Sequence, residues 1–112
     1  MAVEGQLTVR EAQARVDASI RALGGYWPPL ANLARLFEEC GELARVVNQT
    51  QGPKQRKPGE VAVSASEELG DALYVLLVLA NSLDLDAEAA LSAALAKVAA
   101  RVPAQPDDVS ES

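Results

Sequence analysis

An apolar residue at every third or fourth position predicts two helices in the first half of the chain. The first begins after Thr8, which forms a capping box with Glu11, and it ends at Gly24-Gly25. The second begins at Pro28-Pro29, because proline is tolerated in a first helical turn, and it runs to about Gln49. Its apolar positions form one continuous stripe, which predicts its buried face and consists of Leu30, Leu33, Phe37, Cys40, Ala44 and Val47. Because Cys40 lies on this stripe, we expect it to be a packing residue.

The second half of the chain predicts a loop and two more helices. Residues 50–63 combine glycines and prolines with basic side chains, which is typical of a long functional loop. A second capping box over Ser64–Glu67 opens the third helix, which runs to about Leu83. Asp86 is a suitable N-cap for a fourth helix that ends before Pro103.

Composition agrees with an all-α fold. The 112 residues fit one domain, which we expect over 1–103, followed by a disordered acidic tail over 104–112. Apolar residues make up 49% of the chain, yet it has one Trp, two Tyr and one Phe, which favours a helical bundle over a β-sandwich. We therefore predict a bundle of four main helices per chain.

Charge and residue types exclude several functional classes. The net charge of −6 argues against a nucleic acid or an anionic membrane as partner. A single cysteine excludes an intramolecular disulfide, and the lack of histidine excludes imidazole-based catalysis and the usual zinc sites. Residues 1–9 show no secretory signal, so we expect a cytoplasmic protein.

Two acidic clusters carry the candidate chemistry: Glu38-Glu39-x-x-Glu42 and Glu67-Glu68-x-x-Asp71. Carboxylates three positions apart share a helix face, where they repel each other by a few tenths of a kcal/mol. They could form a solvated face, or they could be offset by a divalent cation held by oxygen ligands, which indicates Mg²⁺ and phosphate chemistry.

The third helix favours the metal-binding interpretation. Its segment 73–80 is apolar on all sides, which predicts a buried helix, and it is too short to span a bilayer. Glu68 and Asp71 align with Val75 and Val78, so we expect them to face a cleft. If the second and third helices pack antiparallel, Glu39 and Glu42 converge on the same region. Such convergence implies bound cations.

The order of these motifs resembles a known family. E-E-x-x-E at 38–42 is followed by 25 residues and then by E-x-x-D at 68–71. The flanking stretches agree as well, including Gly25-Tyr26-Trp27, Gly41-Glu42-Leu43-Ala44-Arg45 and Leu79-Ala80-Asn81-Ser82-Leu83. Together they resemble the MazG-like all-α nucleoside triphosphate pyrophosphohydrolases, in their short single-domain branch, over residues 24–101.

The resemblance implies an activity and a set of metal ligands. The expected reaction is hydrolysis of a nucleoside or deoxynucleoside triphosphate between the α and β phosphates, which cleanses the nucleotide pool. By the same resemblance, Glu39, Glu42, Glu68 and Asp71 bind Mg²⁺, for which Mn²⁺ would substitute. Glu38 is then the candidate for positioning or deprotonating the attacking water.

Five further residues are candidates for binding the substrate. The resemblance implies that Lys54, Lys97 and Arg101 contact the phosphates, although the last two would also suit the C-terminal end of their helix by charge alone. Asn81 could contact the base or sugar, or else a helix-end carbonyl. Trp27 could stack on a base, or pack as a staple at its helix start.

The apolar third helix also predicts that the bundle is completed by oligomerisation, as a homodimer or homotetramer. A different class of function stays open alongside the enzyme. The chain could be a non-catalytic helical dimerisation or nucleotide-binding module that retains the acidic clusters. The presence of all four ligands together with Lys97 favours the enzyme.

Overall fold

The computed structural model describes residues 6–51 and 64–103, and these form four helices in the predicted order. Helix α1 covers Val9–Ala22, α2 Pro29–Gln51, α3 Ala65–Ser82 and α4 Ala87–Arg101. No strand occurs in these two ranges, so the all-α class is confirmed. The predicted tail at 104–112 lies outside them, and the division of the chain at residue 103 stays a prediction.

The three predicted N-caps are confirmed by their hydrogen bonds. Thr8 Oγ1 accepts from the Glu11 N–H at 3.1 Å, and Ser64 Oγ accepts from the Ser66 N–H at 3.1 Å. Asp86 Oδ1 accepts from the Ala89 N–H at 3.0 Å. Each cap satisfies a backbone donor that the first turn of its helix leaves without an intrahelical acceptor. Because each cap involves residues only two or three positions apart, these helix starts could be predicted from the sequence.

The helices pack around α3. Its most extensive contact is with α2, α1 packs against it on another side, and α4 packs mainly on α1. Helices α2 and α3 run antiparallel, since Pro29 at the start of α2 and Asn81 near the end of α3 line the same groove. The core under α1 consists of Val16, Ile20 and Val78, with Tyr26, Tyr74 and Leu77 packed against it.

The predicted buried face of α2 is wrong for a single chain. Leu30 and Phe37 are 80% and 67% exposed, and Cys40 is exposed as well. The side that faces inward instead carries Asn32 and Val46, each only 1% exposed. The amide of Asn32 donates to the Trp27 carbonyl at 3.2 Å, which accounts for a buried polar side chain.

Helix α3 is buried on one side only. Ala72, Val75 and Val78 are buried, but Leu73 is 51% exposed and Leu76 is also exposed. The expectation that α3 is surrounded therefore does not hold within one chain. In the described ranges, none of the helices combines the length and hydropathy that a membrane-spanning segment requires.

A polar network joins α1 to the segment that leads into α2. The Tyr26 hydroxyl donates to Asp17 Oδ1 at 2.5 Å, and Arg21 Nε donates to Asp17 Oδ2 at 3.0 Å. Gly24 and Gly25 allow the turn, because both have positive φ angles that residues with a Cβ rarely adopt. The hydrogen bond from Tyr26 and then that from Arg21 lower the pKa of Asp17 below its usual value.

This lowered pKa predicts the pH dependence of one contribution to stability. The contribution is complete above the unfolded-state pKa of Asp17, near 4, and is lost as the pH falls through the lower folded-state pKa. We expect Asp17→Asn to lower the free energy of unfolding at pH 7 and to differ less from wild type at pH 3. Urea unfolding of both proteins at the two pH values measures this. An equal difference at both would contradict it.

Candidate metal centre

Three carboxylates from two helices meet in the seam between α2 and α3. One oxygen each from Glu39, Glu68 and Asp71 lies within 4.8 Å of the other two. Glu39 and Glu68 are half-buried and Asp71 is exposed, so the cluster opens to solvent on the Asp71 side. The spacing of Glu68 and Asp71 puts both on the same face of α3, and the antiparallel packing brings Glu39 to them.

The other two acidic candidates are not among these three carboxylates. Glu42 is exposed, and its Oε2 accepts from Arg45 Nη2 at 3.2 Å in an ion pair. Glu38 is exposed, and its side chain makes no hydrogen bond or ion pair within 6–51 and 64–103. Arg45 had no predicted role beyond its place in the Gly41–Arg45 stretch, although its position three residues after Glu42 is a readable signal for an ion pair.

Among the described residues, the negative charge at the cluster exceeds the positive charge beside it. Partial burial raises the pKa of Glu68 above its usual value, and the charges of Asp71, Glu42 and Glu39 raise it further. Arg45 acts in the opposite direction but does not reverse the shift. A cation bound among these oxygens would remove the repulsion.

The donor set fits a hard divalent cation. It consists of carboxylate oxygens alone, which Mg²⁺ and Mn²⁺ prefer, and it leaves room for water and substrate oxygens as further ligands. Glu39, Glu68 and Asp71 would hold the ion directly. Glu42 could join them by turning away from Arg45.

The structure brings Trp27 and Asn81 together at the end of the antiparallel α2–α3 pair that lies away from the carboxylates. Both line an open groove of about 770 Å³ between α1, the start of α2 and the end of α3. Asn81 lies about 15 Å along α3 from Asp71. Its Oδ1 accepts from Gln13 Nε2 at 2.9 Å, and its Nδ2 donates to the Gln13 carbonyl at 3.0 Å. Trp27 is largely exposed, with the Arg35 guanidinium 5.6 Å from its ring centre.

The basic candidates are not brought to the carboxylates within one chain. Lys97 and Arg101 are exposed on α4, which packs mainly on α1, and neither forms an ion pair in the part of the chain that the structure describes. Lys54 lies outside the described residues. The groove also contains Gln13, which the sequence analysis missed because a lone glutamine in a helix gives no local signal.

Comparison with known proteins identifies relatives with this fold. The model of the MazG nucleotide pyrophosphohydrolase domain matches residues 28–105. The uncharacterized protein YpjD of Bacillus subtilis (strain 168) is 51% identical over 84 residues, which cover 74% of this chain and 76% of YpjD. The match to the YPJD crystal structure from Bacillus subtilis, described as a candidate pyrophosphatase, has a TM-score of 0.74 and 47% identity, covering 83% of this chain and 96% of that one.

A second solved structure agrees in fold and length. It is the Bacillus-conserved MazG protein, described as a nucleotide pyrophosphohydrolase, and it matches with a TM-score of 0.73 and 39% identity. The match covers 92% of this chain and 98% of that one. The helical arrangement is therefore shared over nearly the whole length of both chains.

The uncompensated charge predicts how the free protein responds to divalent cations. We expect Mg²⁺ at about ten times its Kd to raise the Tm of wild type by about 5 °C, because only the folded state assembles the cluster. Glu68→Gln should raise the Tm without metal, since it removes a repelling charge, and should abolish the Mg²⁺ effect. Differential scanning calorimetry measures both shifts.

Glu67→Gln is the matched control, because this neighbouring exposed residue is not in the cluster and its variant should keep the response to Mg²⁺. An equal Mg²⁺ shift in Glu68→Gln and wild type would place the ion elsewhere.

Proposed function

Because the chain belongs to the MazG nucleotide pyrophosphohydrolase family, we propose that it is a Mg²⁺-dependent cytoplasmic enzyme acting on nucleoside or deoxynucleoside triphosphates. It cleaves between the α and β phosphates and so releases a monophosphate and pyrophosphate, which removes unwanted nucleotides from the pool. The observation that carries the proposal is the approach of Glu39, Glu68 and Asp71 within 4.8 Å of one another. Such a cluster suits a polyanionic substrate only when cations are bound in it.

The carboxylates divide into ligands and a base. Glu39, Glu68 and Asp71 would hold Mg²⁺, or Mn²⁺ as a substitute, and Glu42 would join them if its ion pair with Arg45 opened. When bound, Mg²⁺ polarises the phosphoryl oxygens and makes a bound water more acidic. Glu38 accepts the proton of the attacking water or orients it. Its exposed position beside Glu39 leaves its carboxylate free to do so.

The remaining substrate contacts involve more than one region of the protein. Lys54, Lys97 and Arg101 balance the charge that develops on the leaving pyrophosphate. Trp27 and Asn81 contact the base or sugar from the groove that they share. Since α4 packs mainly on α1 of its own chain, we assign its basic residues to a site formed in the assembled oligomer.

The exposed apolar residues of α2 and α3 support a homodimer or homotetramer. On α2 they recur at alternating steps of three and four positions, and on α3 with its C-cap at steps of four, three and seven, which is the spacing of helices that pack side by side. The α2 stripe consists of Leu30, Leu33, Phe37, Cys40, Ala44 and Val47, of which Leu33 is half-buried, and the α3 stripe consists of Leu69, Leu73, Leu76 and the C-cap residue Leu83. A second copy that contributes the same two helices would cover both stripes and complete a four-helix bundle.

Turnover of nucleotides tests the enzymatic proposal. Standard and damaged NTPs and dNTPs are incubated with Mg²⁺, and pyrophosphate release is followed in wild type, Glu68→Gln, Glu42→Gln and the control Glu67→Gln. We expect kcat/KM to fall about 100-fold in Glu68→Gln, because a ligand is lost, and less in Glu42→Gln. Glu67→Gln should retain activity.

Two results would contradict the proposal in different ways. Full activity of Glu68→Gln would remove that residue from the ligand set. Nucleotide binding without turnover of any substrate would favour the non-catalytic module instead.

Light scattering after size-exclusion chromatography tests the oligomer. We expect wild type to elute as a dimer or tetramer at micromolar concentration, whereas Phe37→Glu and Leu73→Glu, each adding a charge to one stripe, should be monomeric. Ala18→Glu adds the same charge to an exposed position on α1 and should not change the mass. A monomeric wild type would refute this assembly.

A further inference from the structure

We propose that Gln13 of α1 is a positioning residue that sets the direction of α4 and, through it, the location of Lys97. The first part of this inference concerns the fold alone. The second part rests on the proposed function, because it takes Lys97 to contact the substrate.

A single side-chain amide holds both sides of the connection between α3 and α4. Gln13 Oε1 accepts from the Ala87 N–H at 2.7 Å. Gln13 Nε2 donates to the Leu85 carbonyl at 2.8 Å and to Asn81 Oδ1 at 2.9 Å. The Asn81 amide returns a bond to the Gln13 carbonyl at 3.0 Å. The turn that precedes α4 is therefore hydrogen-bonded to a single residue of α1.

The bond to Ala87 acts as a cap supplied by another helix. Ala87 is the first residue of α4, and its N–H has no intrahelical acceptor. Asp86 caps a different donor, the Ala89 N–H, so it does not replace Gln13. Because the cap comes from α1, it satisfies the Ala87 N–H and also fixes the start of α4 relative to α1.

Among the described residues, few other contacts fix α4. No residue of this helix is buried, and its large apolar side chains Leu91, Leu95 and Val98 are all exposed. The other tether among the described residues is Arg10, whose guanidinium pairs with Asp86 at 3.1 Å and with Glu88 at 2.9 Å, and whose backbone N–H donates to Glu88 Oε1 at 3.0 Å. The Arg10 side chain is mostly exposed, and solvent-exposed ion pairs contribute little to stability. Gln13 is half-buried and bonds to both Leu85 and Ala87, so it holds the chain on both sides of Asp86.

The length of α4 amplifies any change at its first turn. Lys97 lies about 15 Å along the helix axis from Ala87, so a tilt of about 10° moves it by about 3 Å. A displacement of about 1 Å at a reacting centre can reduce a rate about 100-fold. A substitution at Gln13 can therefore affect the substrate contact without touching the substrate.

A distance measurement tests the first part. Spin labels are attached at Ala18→Cys and Ala100→Cys in a Cys40→Ser background, and labelled chains are diluted with unlabelled ones so that electron–electron resonance reports distances within one chain. We expect Gln13→Met, which has nearly the same shape but neither polar group, to shift the mean distance by about 3 Å or to broaden its distribution. Gln6→Met is the control, since Gln6 is exposed and outside the helices.

An unchanged distribution in Gln13→Met would overturn the inference. Should that variant fail to fold, Gln13→Asn keeps the amide but is one methylene shorter, and the same shift or broadening is expected.

A double-mutant cycle in the intact protein tests the second part. We expect Gln13→Met to lower kcat/KM about 10-fold for the best substrate, but to cause little further loss when combined with Lys97→Met. If Gln13 had only a structural role, the two losses would multiply, and that result would overturn the positioning of Lys97 while leaving the enzyme intact. If wild type released no pyrophosphate, the proposed function and the link to Lys97 would fail together, and the label distances would still decide whether Gln13 sets the direction of α4.

Discussion

Repulsion among the carboxylates in the α2–α3 seam is the constraint on which the rest of this structure depends. The most extensive helix contact in the described chain is also the one that brings Glu39, Glu68 and Asp71 together. Close packing and the accumulation of negative charge therefore occur together, and the pKa of Glu68 is raised first by its partial burial and then by the neighbouring carboxylates. A bound cation would relieve this repulsion and strengthen the same contact, so in the proposed enzyme metal binding and helix packing support each other.

The same α2–α3 seam determines which face of α2 remains exposed. Because α2 turns Asn32, Glu39 and Val46 toward α3, its apolar stripe from Leu30 to Val47 faces away. One chain thus uses the less apolar side of α2 to form its site and leaves the more apolar side for another surface. In the proposed oligomer a small chain gains from such a division, since association adds buried apolar area that its own core lacks.

Interactions within one helical turn were predictable from the sequence. Which helix packs against which face was not. The caps at Thr8, Ser64 and Asp86 could be predicted because each depends on residues within one turn. The meeting of Glu39 with Glu68 followed from helix periodicity and antiparallel packing. Periodicity identifies residues that share a face but does not say which element covers it, so the buried face of α2 was misassigned. The bonds of Gln13 join positions about 70 residues apart and leave no local pattern.

Different interactions dominate at the two ends of the antiparallel α2–α3 pair. This difference affects how the proposed enzyme would select a nucleotide. At the seam, Val46 and Val75 are almost fully buried, and such contacts resist displacement. At the other end, hydrogen bonds of Gln13, Asn81 and Asp17 surround an open groove. Hydrogen bonds can be exchanged one at a time without opening a cavity. The metal centre is thus the rigid part of the proposed enzyme, and the groove is where a different base or sugar could be accommodated by small changes in sequence.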